Sequence, residues 1–476
     1  MTAAISGAGQ APDAAEGGGG AQAVPLTALT APPRTRSRLL AALTGRAWLL
    51  GLLVAAGYVA LQLTASAQWS LYPDSYRYAR AAEQFTGVSR EQAHRDALAA
   101  FCTTRAKAAH ETTRLSPVPV HGLPLGTMTA KSCEARWAQS RDITTDDPRY
   151  QAIFSSRPGY PLLAAPFVSA FGVTDGMRVL GLVTTAGGAL MVVGLLRSAG
   201  LPPVAAVSGQ LVFLATPLAQ WGLQALSEGL VTVTVLGTVW GAVLLSRRRP
   251  AAGAPLLLAS LAVCAVTRYS TALVLAVLTA LAAAALWGGV REARHRWTGV
   301  LAALAALGAG VTAAVMSAMA LPSATTTLQD TFTVHFSQPL VPDPWHRLAE
   351  LDGHFWAHWI GRQATLPTLL VPTLLAAWAL CRYGRGLGWF ALAAALTGAV
   401  QVVAHPLAQE ADRLGVLMWL PAVLGLPLYV ARAGRRTTQP GEKAEPAQAA
   451  GRAGTAVPAL PDTGTGTEAE PDAAAG

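Results

Sequence analysis

Long apolar runs alternate with short polar connections along most of the chain. Most runs approach the ~20 residues that a helix needs to cross a bilayer. We therefore expect an all-α polytopic membrane protein with about ten transmembrane helices. Because several runs are shorter than ~20 residues, nine or eleven helices also fit the pattern. The runs cover residues 47–66, 177–196, 204–218, 226–245, 254–267, 271–288, 298–320, 366–381, 387–404 and 414–431.

Arginines occur in every second connection between these runs, which is the pattern of cytoplasmic loops under the positive-inside rule. This pattern predicts that both termini are cytoplasmic and that two large loops, 67–175 and 321–365, lie outside. Residues 1–46 and 432–476 are rich in small residues, and we expect them to be disordered segments flanking a membrane domain at 47–431. The arginines concerned are Arg34, Arg36, Arg38, Arg46, Arg197, Arg247, Arg248, Arg249, Arg291, Arg294, Arg296, Arg382, Arg385, Arg432, Arg435 and Arg436.

Composition agrees with a membrane location and narrows the classes of partner. Of the 476 residues, 52% are hydrophobic and 13% are charged, whereas a soluble domain is about 25% charged. The net charge of +9 comes largely from arginine clusters between apolar runs, with no basic face interleaved with aromatic residues. We therefore expect membrane lipids, and no nucleic acid, among the partners.

The first outer loop contains signals for short amphipathic helices. Ser89 and Gln92 form a capping-box pattern that predicts a helix over 90–114. The apolar piece 162–172 is too short to span a bilayer and too apolar for open water, so it predicts an interfacial or re-entrant segment. Cys102 and Cys133 lie in the same loop. They can form a disulfide if the exterior is oxidising, or remain two free thiols.

The second outer loop contains an aromatic amphipathic helix. Asp343 followed by Pro344 is a helix start signal. His354 and His358 are one helical turn apart, a spacing that can hold a metal, but no third ligand is evident in the sequence. We therefore expect no metal cofactor, and an interfacial or substrate-contacting role for these histidines. The apolar side of this helix is predicted to present Trp345, Leu348, Leu351, Phe355 and Trp359.

A single acidic residue, Asp74, follows the first apolar run in the stretch Tyr72–Ala79. Two interpretations of Asp74 are open. It can be an N-cap that accepts a backbone hydrogen bond at the start of a helix over Ser75–Phe85. It can also be a carboxylate beside an apolar wall, where desolvation raises its basicity enough for general-base catalysis.

The order of several short motifs resembles membrane-embedded glycosyltransferases of the GT-C fold, which include protein O-mannosyltransferases and aminoarabinose transferases. The resemblance covers residues 47–431. The chain departs from it at Ser75, where many such enzymes have a second acid, so a mechanism with two adjacent carboxylates is in doubt. The motifs are Asp74-x-x-x-Tyr78, Arg157-Pro-Gly-Tyr-Pro-Leu-Leu, Ala225-Leu-Ser-Glu228, Thr267-Arg268 and Glu410-x-Asp412-Arg413.

This resemblance implies an inverting transferase that uses a polyprenyl-phosphate sugar as donor at the outer face of the cell membrane. Asp74 would be the catalytic base. The resemblance does not identify the acceptor, which can be a glycan, a lipid or a protein. The donor phosphate would be bound by Arg157, Arg268 and Arg413. Substrate contacts would come from Tyr78, Glu228, His354, His358 and Asp412.

Two other functions remain open. A transporter or flippase would have internal repeats and charged or broken helices near the middle of the membrane. No repeat is visible by eye, and the charges lie at the ends of the apolar runs. The second alternative is a non-catalytic membrane protein that keeps the fold. No phosphate-binding loop, dinucleotide-binding fingerprint or nucleophile elbow occurs, which argues against a nucleotide-driven or serine-hydrolase mechanism.

Overall fold

The computed structural model describes residues 46–65, 69–115 and 129–437. Within these ranges every regular element is a helix, so the predicted all-α class is confirmed for this part of the chain. Two of the elements are short 3-10 helices, Arg291–Ala293 and Gly415–Trp419. The α-helices are α1 Ala47–Ala65, α2 Pro73–Phe85, α3 Arg90–Leu115, α4 Ala130–Trp137, α5 Pro148–Ser155, α6 Gly159–Ser198, α7 Pro203–Ala215, α8 Pro217–Leu223, α9 Ser227–Ser246, α10 Pro250–Gly289, α11 Arg296–Ala318, α12 Ala324–Phe332, α13 Pro344–Thr365, α14 Leu370–Tyr383, α15 Gly386–Ala404, α16 Ala411–Leu414 and α17 Leu420–Thr437.

Seven helical segments in the described part are long and apolar enough to cross a membrane, judged by length and composition. Two further pairs pass the same criterion together but are sharply bent: α7 with α8 by 61°, and α13 with α14 by 92°. Counting each bent pair as one span gives nine. The chain is therefore a multi-pass helical protein, although this criterion alone does not give the predicted count of about ten.

Almost all of the two segments predicted to be disordered, 1–46 and 432–476, lies outside the described residues. At the C-terminal boundary the prediction was wrong, because α17 continues to Thr437 instead of ending at residue 431.

Exposed leucines on α1 indicate the surface that faces lipid. Leu52, Leu53 and Leu61 are each more than half exposed, which would be unfavourable in water but is expected against hydrocarbon. By contrast, most residues of α9 are buried, so this helix runs through the middle of the bundle. The close packing of α9 and α10 depends on small residues: a Cβ added to Gly241 would lie 2.8 Å from the carbonyl oxygen of Gly253.

Two of the longest helices, α6 and α10, are broken internally. In α6 the break is at Gly172, whose φ of 76° is readily adopted by glycine. It ends the short apolar piece that the sequence predicts at 162–172. In α10 the break is at Arg268, with φ −151° and ψ 86°. The two predicted runs 254–267 and 271–288 are thus the two arms of α10.

The two arms of α10 run in opposite directions. A straight helix of 40 residues would be about 60 Å long. Instead, Gly253 in the first arm lies against Leu245, and Leu286 in the second arm lines the same cavity as Ser246, both at the end of α9. The chain therefore turns back at Arg268.

The helices of the first large loop pack onto one end of the bundle. Leu71, Tyr76 and Ala79, around and within α2, are fully buried in a cluster that also contains Val168 and Met177 of α6. This cluster fixes α2 against the membrane helices, so the side chains of its first turn occupy defined positions.

Local signals in both loops placed the helix starts correctly. Ser89 Oγ accepts a hydrogen bond from Gln92 N–H at 3.3 Å, and α3 begins at the next residue after Ser89. Helix α13 begins at Pro344. On its predicted apolar side Leu348 and Phe355 are buried, but Trp345 is 55% exposed.

A disulfide joins Cys102 of α3 to Cys133 of α4, with a Cα–Cα distance of 5.6 Å. The bond closes a loop of about 30 residues, and closing a loop of that size contributes about 3–4 kcal/mol to stability.

The two ends of the bundle differ in charge. Glu228 lies in the first turn of α9 and is near Asp74 and Arg413; we name this the carboxylate end. At the opposite end of α9, about 30 Å away, Arg247 and Arg385 line a cavity. Residues from other connections between helices also line it, and we name this end the arginine end. The predicted inner connections therefore meet at one end of the bundle, and Asp74, Glu228 and Arg413 meet at the other.

Candidate functional site

Asp74 is the second residue of α2, and it does not cap the helix. Pro73 begins the helix, since proline at the first helical position loses no helical hydrogen bond. The Tyr72 N–H donates to Ser75 Oγ at 3.0 Å, so Ser75 satisfies the backbone at this end. The N-cap interpretation of Asp74 is therefore wrong, and its carboxylate is available for contacts outside α2.

Arg413 joins three carboxylates at the carboxylate end. Its Nη1 donates to Asp74 Oδ2 at 3.0 Å, and its Nη2 donates to Glu410 Oε2 at 3.0 Å. Its Nε lies 3.4 Å from Glu228 Oε1. Arg413 belongs to the short helix α16, just before the last membrane helix. Its side chain therefore connects this late part of the sequence to Asp74, which follows the first membrane helix.

Glu228 and Arg268 form a buried ion pair at the site. Arg268 Nη2 donates to Glu228 Oε1 at 2.7 Å, and the residues are 9% and 3% exposed respectively. Glu228 lies in the first turn of α9, where the helix dipole favours a negative charge. Arg268 lies at the break in α10, and its Nη1 is 3.5 Å from Gln401 Oε1.

Arg77, which the sequence interpretation missed, lies beneath Asp74. Its Nη1 is 3.7 Å from Asp74 Oδ1. It also binds Asp142 with two hydrogen bonds, of 2.7 and 3.2 Å. Its guanidinium lies over the rings of Tyr150 and Phe154. These contacts fix α2 to the segment that contains Asp142 and to helix α5, which carries Tyr150 and Phe154.

The surroundings of Asp74 differ from the apolar wall that the sequence interpretation expected. The side chain is 25% exposed and is contacted by the guanidinium groups of Arg413 and Arg77. Its Oδ2 is occupied by Arg413, whereas Oδ1 is only loosely contacted by Arg77. Oδ1 is therefore the less tightly held of the two carboxylate oxygens.

Glu410 connects the site to the second large loop. Hydrogen bonding by His405 lowers the pKa of Glu410, and Arg413 lowers it further, to about 2, although burial acts in the opposite direction. His405 Nδ1 is in turn 3.1 Å from Thr331 Oγ1 of α12. His405 therefore lies between the site and α12 and contacts both.

Arg157 differs from the other predicted phosphate-binding arginines because no carboxylate contacts it in the described part of the chain. Its Nε is buried and makes no hydrogen bond to the described residues. Its guanidinium lies 5.8 Å from the ring centroid of Tyr269. By contrast, Arg268 and Arg413 are already engaged by carboxylates.

Tyr78 is behind the site rather than open to it. It is 3% exposed, its hydroxyl donates to Ser227 Oγ at 3.4 Å, and its ring packs 5.0 Å from that of Tyr160. Tyr78 therefore supports the start of α9.

Three other predicted substrate-contacting residues lie apart from these ion pairs. His354 and His358 are exposed on α13, and Asp412 is exposed on α16. Glu410, rather than Asp412, binds Arg413. Among the described residues no group of three or more His, Cys, Asp or Glu side chains is arranged to hold a metal ion.

A cavity of about 540 Å³ begins beside Tyr72, two residues before Asp74. Trp69, Gln220 and Gln224 also line it, whereas Asp74 does not. Aromatic rings and amide groups of this kind are suited to a molecule with both apolar and hydrogen-bonding surfaces.

Sequence interpretation missed several residues of the site, and only some of them carried a signal. Asp74 and Arg77 are three residues apart, a spacing that places side chains together on a helix, and Glu410 and Arg413 share it. Asp142, Gln401 and His405 carry no such local signal.

The chain matches no protein-family model, no curated protein and no solved structure. The chemistry of this protein is therefore inferred from the geometry of the site. That geometry combines a partly exposed carboxylate with several arginines at the end of a membrane bundle, which suits the binding of an anionic group and the transfer of a proton near it.

Proposed function

We propose that this protein is an integral-membrane inverting glycosyltransferase. It would move a sugar from a polyprenyl-phosphate donor to an acceptor hydroxyl at the outer face of the membrane. The observation that carries this proposal is the meeting of Asp74, Glu228, Arg268 and Arg413, which come from four separate segments of the chain. These positions match four of the motifs on which the resemblance to GT-C enzymes rests.

The proposed reaction uses Asp74 as the base. Asp74 Oδ1 takes the proton of the acceptor hydroxyl while the acceptor oxygen forms a bond to the anomeric carbon. The bond from that carbon to the phosphate oxygen breaks, and the polyprenyl phosphate leaves as an anion. Arginines stabilise the charge that develops on it. Since Asp74 is the only carboxylate required, Ser75 at the next position is compatible with the reaction.

Arg157 is the side chain that we expect to contact the phosphate first. Arg268 and Arg413 are held by Glu228, Asp74 and Glu410, so a phosphate must compete for them. Arg157 makes no such contact with the described residues. A guanidinium binds phosphate through paired hydrogen bonds, which makes it suitable for this task.

We further propose ten membrane spans with both termini in the cytoplasm. The two arms of α10 are 18 and 21 residues long on either side of the break at Arg268, so each arm is long enough to cross a bilayer. Counting these arms separately adds one span to the nine. The arginine end then faces the cytoplasm, as the positive-inside rule predicts, and the site faces the outer side.

A transporter is the second candidate, because one observation favours it. Helix α10 is interrupted at a buried arginine, and broken helices with charges are typical of transporter binding sites. The ion pairs, however, lie at an end of the buried helix α9 and not at its middle. A transporter would move the lipid-linked sugar across the membrane without breaking its bond to phosphate.

The test is sugar transfer in membranes that contain the protein. Membranes with and without the protein are supplied with a radiolabelled polyprenyl-phosphate sugar and native acceptors. We expect label in an acceptor only when the protein is present. Label that crosses the membrane while still attached to the polyprenyl phosphate would favour the transporter and would exclude the proposal for that donor.

A further inference from the structure

A second cavity, of about 590 Å³, lies at the arginine end, on the far side of the bundle from Asp74. Four connections between helices contribute to its walls, represented by Gly200, Arg247, His295 and Arg385, and the last helix contributes Arg432. Its volume is within the range of roughly 300–1,000 Å³ that is usual for small-molecule sites. The proposed transferase reaction uses none of these residues.

Positive charge dominates the lining. Four arginines, Arg247, Arg248, Arg385 and Arg432, face one carboxylate, Glu292. None of the four guanidinium groups makes a hydrogen bond or an ion pair with another residue in the described part of the chain.

The carboxylate end of the same protein is arranged differently. Arg77, Arg268 and Arg413 each have a carboxylate oxygen at 3.0 Å or closer. The two ends therefore differ in charge compensation: these three arginines are paired with carboxylates, and the four arginines of the second cavity are not paired with any described residue.

The crowding of like charges is visible at Arg247. Burial lowers the pKa of Arg247, and the neighbouring Arg249 and Arg385 lower it further. An anion between these side chains would remove the repulsion, because opposite charges favour the ionised form of each guanidinium.

The backbone is also strained at two of these arginines. Arg248 and Arg385 have φ values of 60° and 47°, in a region that residues with a Cβ rarely adopt. Such conformations persist only where the surrounding structure imposes them, and they cluster at ligand sites. The strain therefore coincides with the unpaired charges at the rim of the cavity.

Arginines at this end also fit the positive-inside rule, which requires only that they lie on the cytoplasmic side. That rule does not require four of them, from two separate connections and the last helix, to line one cavity. Nor does it account for the strained backbone at two of them.

We propose that this cavity is a binding site for a phosphate-bearing anion at the cytoplasmic side. The forked guanidinium groups match the oxygens of a phosphate, and basic pockets between membrane helices on this side bind anionic headgroups. His295 Nε2 lies 3.1 Å from the carbonyl oxygen of Ser246, which orients the ring at the wall. The phosphate belongs either to a soluble molecule or to a lipid headgroup.

The test measures binding of two probes to the full-length protein. Inorganic pyrophosphate is titrated by calorimetry into protein in phosphatidylcholine nanodiscs. Phosphatidylglycerol is supplied as a minor component of mixed micelles, and the copies retained are counted by native mass spectrometry. The site variant is Arg247→Gln with Arg385→Gln. The control is Arg291→Gln with Arg296→Gln, which removes the same charge from exposed residues on the same side that do not line the cavity.

We expect at least one probe to bind and the site variant to weaken that binding by about tenfold or more, since charged hydrogen bonds are lost. The control should bind as the wild type does. Selective loss of pyrophosphate indicates a soluble phosphate, and selective loss of phosphatidylglycerol indicates a headgroup. Binding of neither probe, or equal weakening in both variants, would overturn the proposal. If the double site variant does not fold, Arg385→Gln is compared with Arg291→Gln on the same criteria.

Discussion

Replacing Glu228 by glutamine removes the carboxylate from the buried ion pair with Arg268. Arg268, which is 9% exposed, then faces only neutral acceptors: the new amide oxygen, and Gln401 Oε1 at 3.5 Å. Removing one partner of a buried pair leaves an uncompensated charge and costs about 3–5 kcal/mol. We expect a loss of unfolding free energy in this range for Glu228→Gln, although the shape of the side chain is kept.

The loss is measured by denaturation of the detergent-solubilised protein, followed by tryptophan fluorescence. The chain contains 13 tryptophans, which provide the signal. Glu111→Gln is the control, because Glu111 is paired with Arg114 on the surface of α3 at 3.8 Å, where the arginine side chain is 71% exposed. Exposed pairs contribute about 0–1 kcal/mol, so the control should behave almost as the wild type does.

The double variant Glu228→Gln with Arg268→Gln separates the charge effect from lost packing. Since it removes both buried charges, we expect it to be more stable than Glu228→Gln alone. It should remain less stable than the wild type, because Arg413 also loses its contact with Glu228 at 3.4 Å. Equal unfolding free energies for Glu228→Gln and the wild type would show that the two side chains are not a coupled buried pair. The same conclusion follows if the loss in the double variant equals the sum of the losses in Glu228→Gln and Arg268→Gln.

Three further predictions concern the loop helices and the donor. Reduction of the Cys102–Cys133 disulfide should lower the unfolding free energy by about 3–4 kcal/mol, measured with and without reductant; an unchanged transition would contradict this. Burial raises the pKa of Glu83 to about 7, with a further contribution from Asp96. The folded state then retains a proton that the unfolded state releases, so stability should fall between pH 4.5 and about 7. Glu83→Gln should therefore be more stable than the wild type at pH 8 but not at pH 4. If the unfolding free energies of the two proteins differ by the same amount at both pH values, the raised pKa of Glu83 is refuted. Arg157→Gln should weaken binding of the polyprenyl-phosphate donor by about tenfold or more, and unchanged binding would exclude Arg157 from the phosphate site.

Sequence patterns predicted the helical class and several helix starts because these depend on local chemistry. Pro344 marks a helix start because proline has no N–H to donate, and the first helical position does not need one. Ser89 marks a start because its hydroxyl accepts a hydrogen bond from a free backbone N–H of the first turn. The two arms of α10 were predicted as separate runs because Thr267-Arg268 interrupts an otherwise apolar sequence. The sequence could also indicate that Glu228 and Arg268 lie near each other. Both are charged residues at ends of apolar runs, and the arginine pattern places these two ends on the same side of the membrane.

Other features depended on geometry that the pattern does not contain. In the short helix α16, Arg413 pairs with Glu410 three residues earlier, whereas Asp412 immediately precedes it and faces elsewhere. Pro73 starts α2 one residue before Asp74, so Asp74 could not be its N-cap.

The remaining differences arose from contacts between distant segments. His354 and His358 lie on exposed parts of α13, which buries Leu348 and Phe355 instead. Asp142 meets Arg77 through tertiary folding across 65 positions of sequence.

The central claim is that Asp74 is the base of a sugar transfer. Its most direct test is the rate of transfer from a labelled polyprenyl-phosphate sugar by membranes containing the wild type, Asp74→Asn or Asp175→Asn. Asp175 is the control, because it is exposed, lies in the same predicted outer loop, and has no ion pair with another described residue. Asp74→Asn should transfer about 10²–10⁴-fold more slowly, while Asp175→Asn transfers at the wild-type rate. Equal rates for Asp74→Asn and the wild type would contradict the proposed role of Asp74.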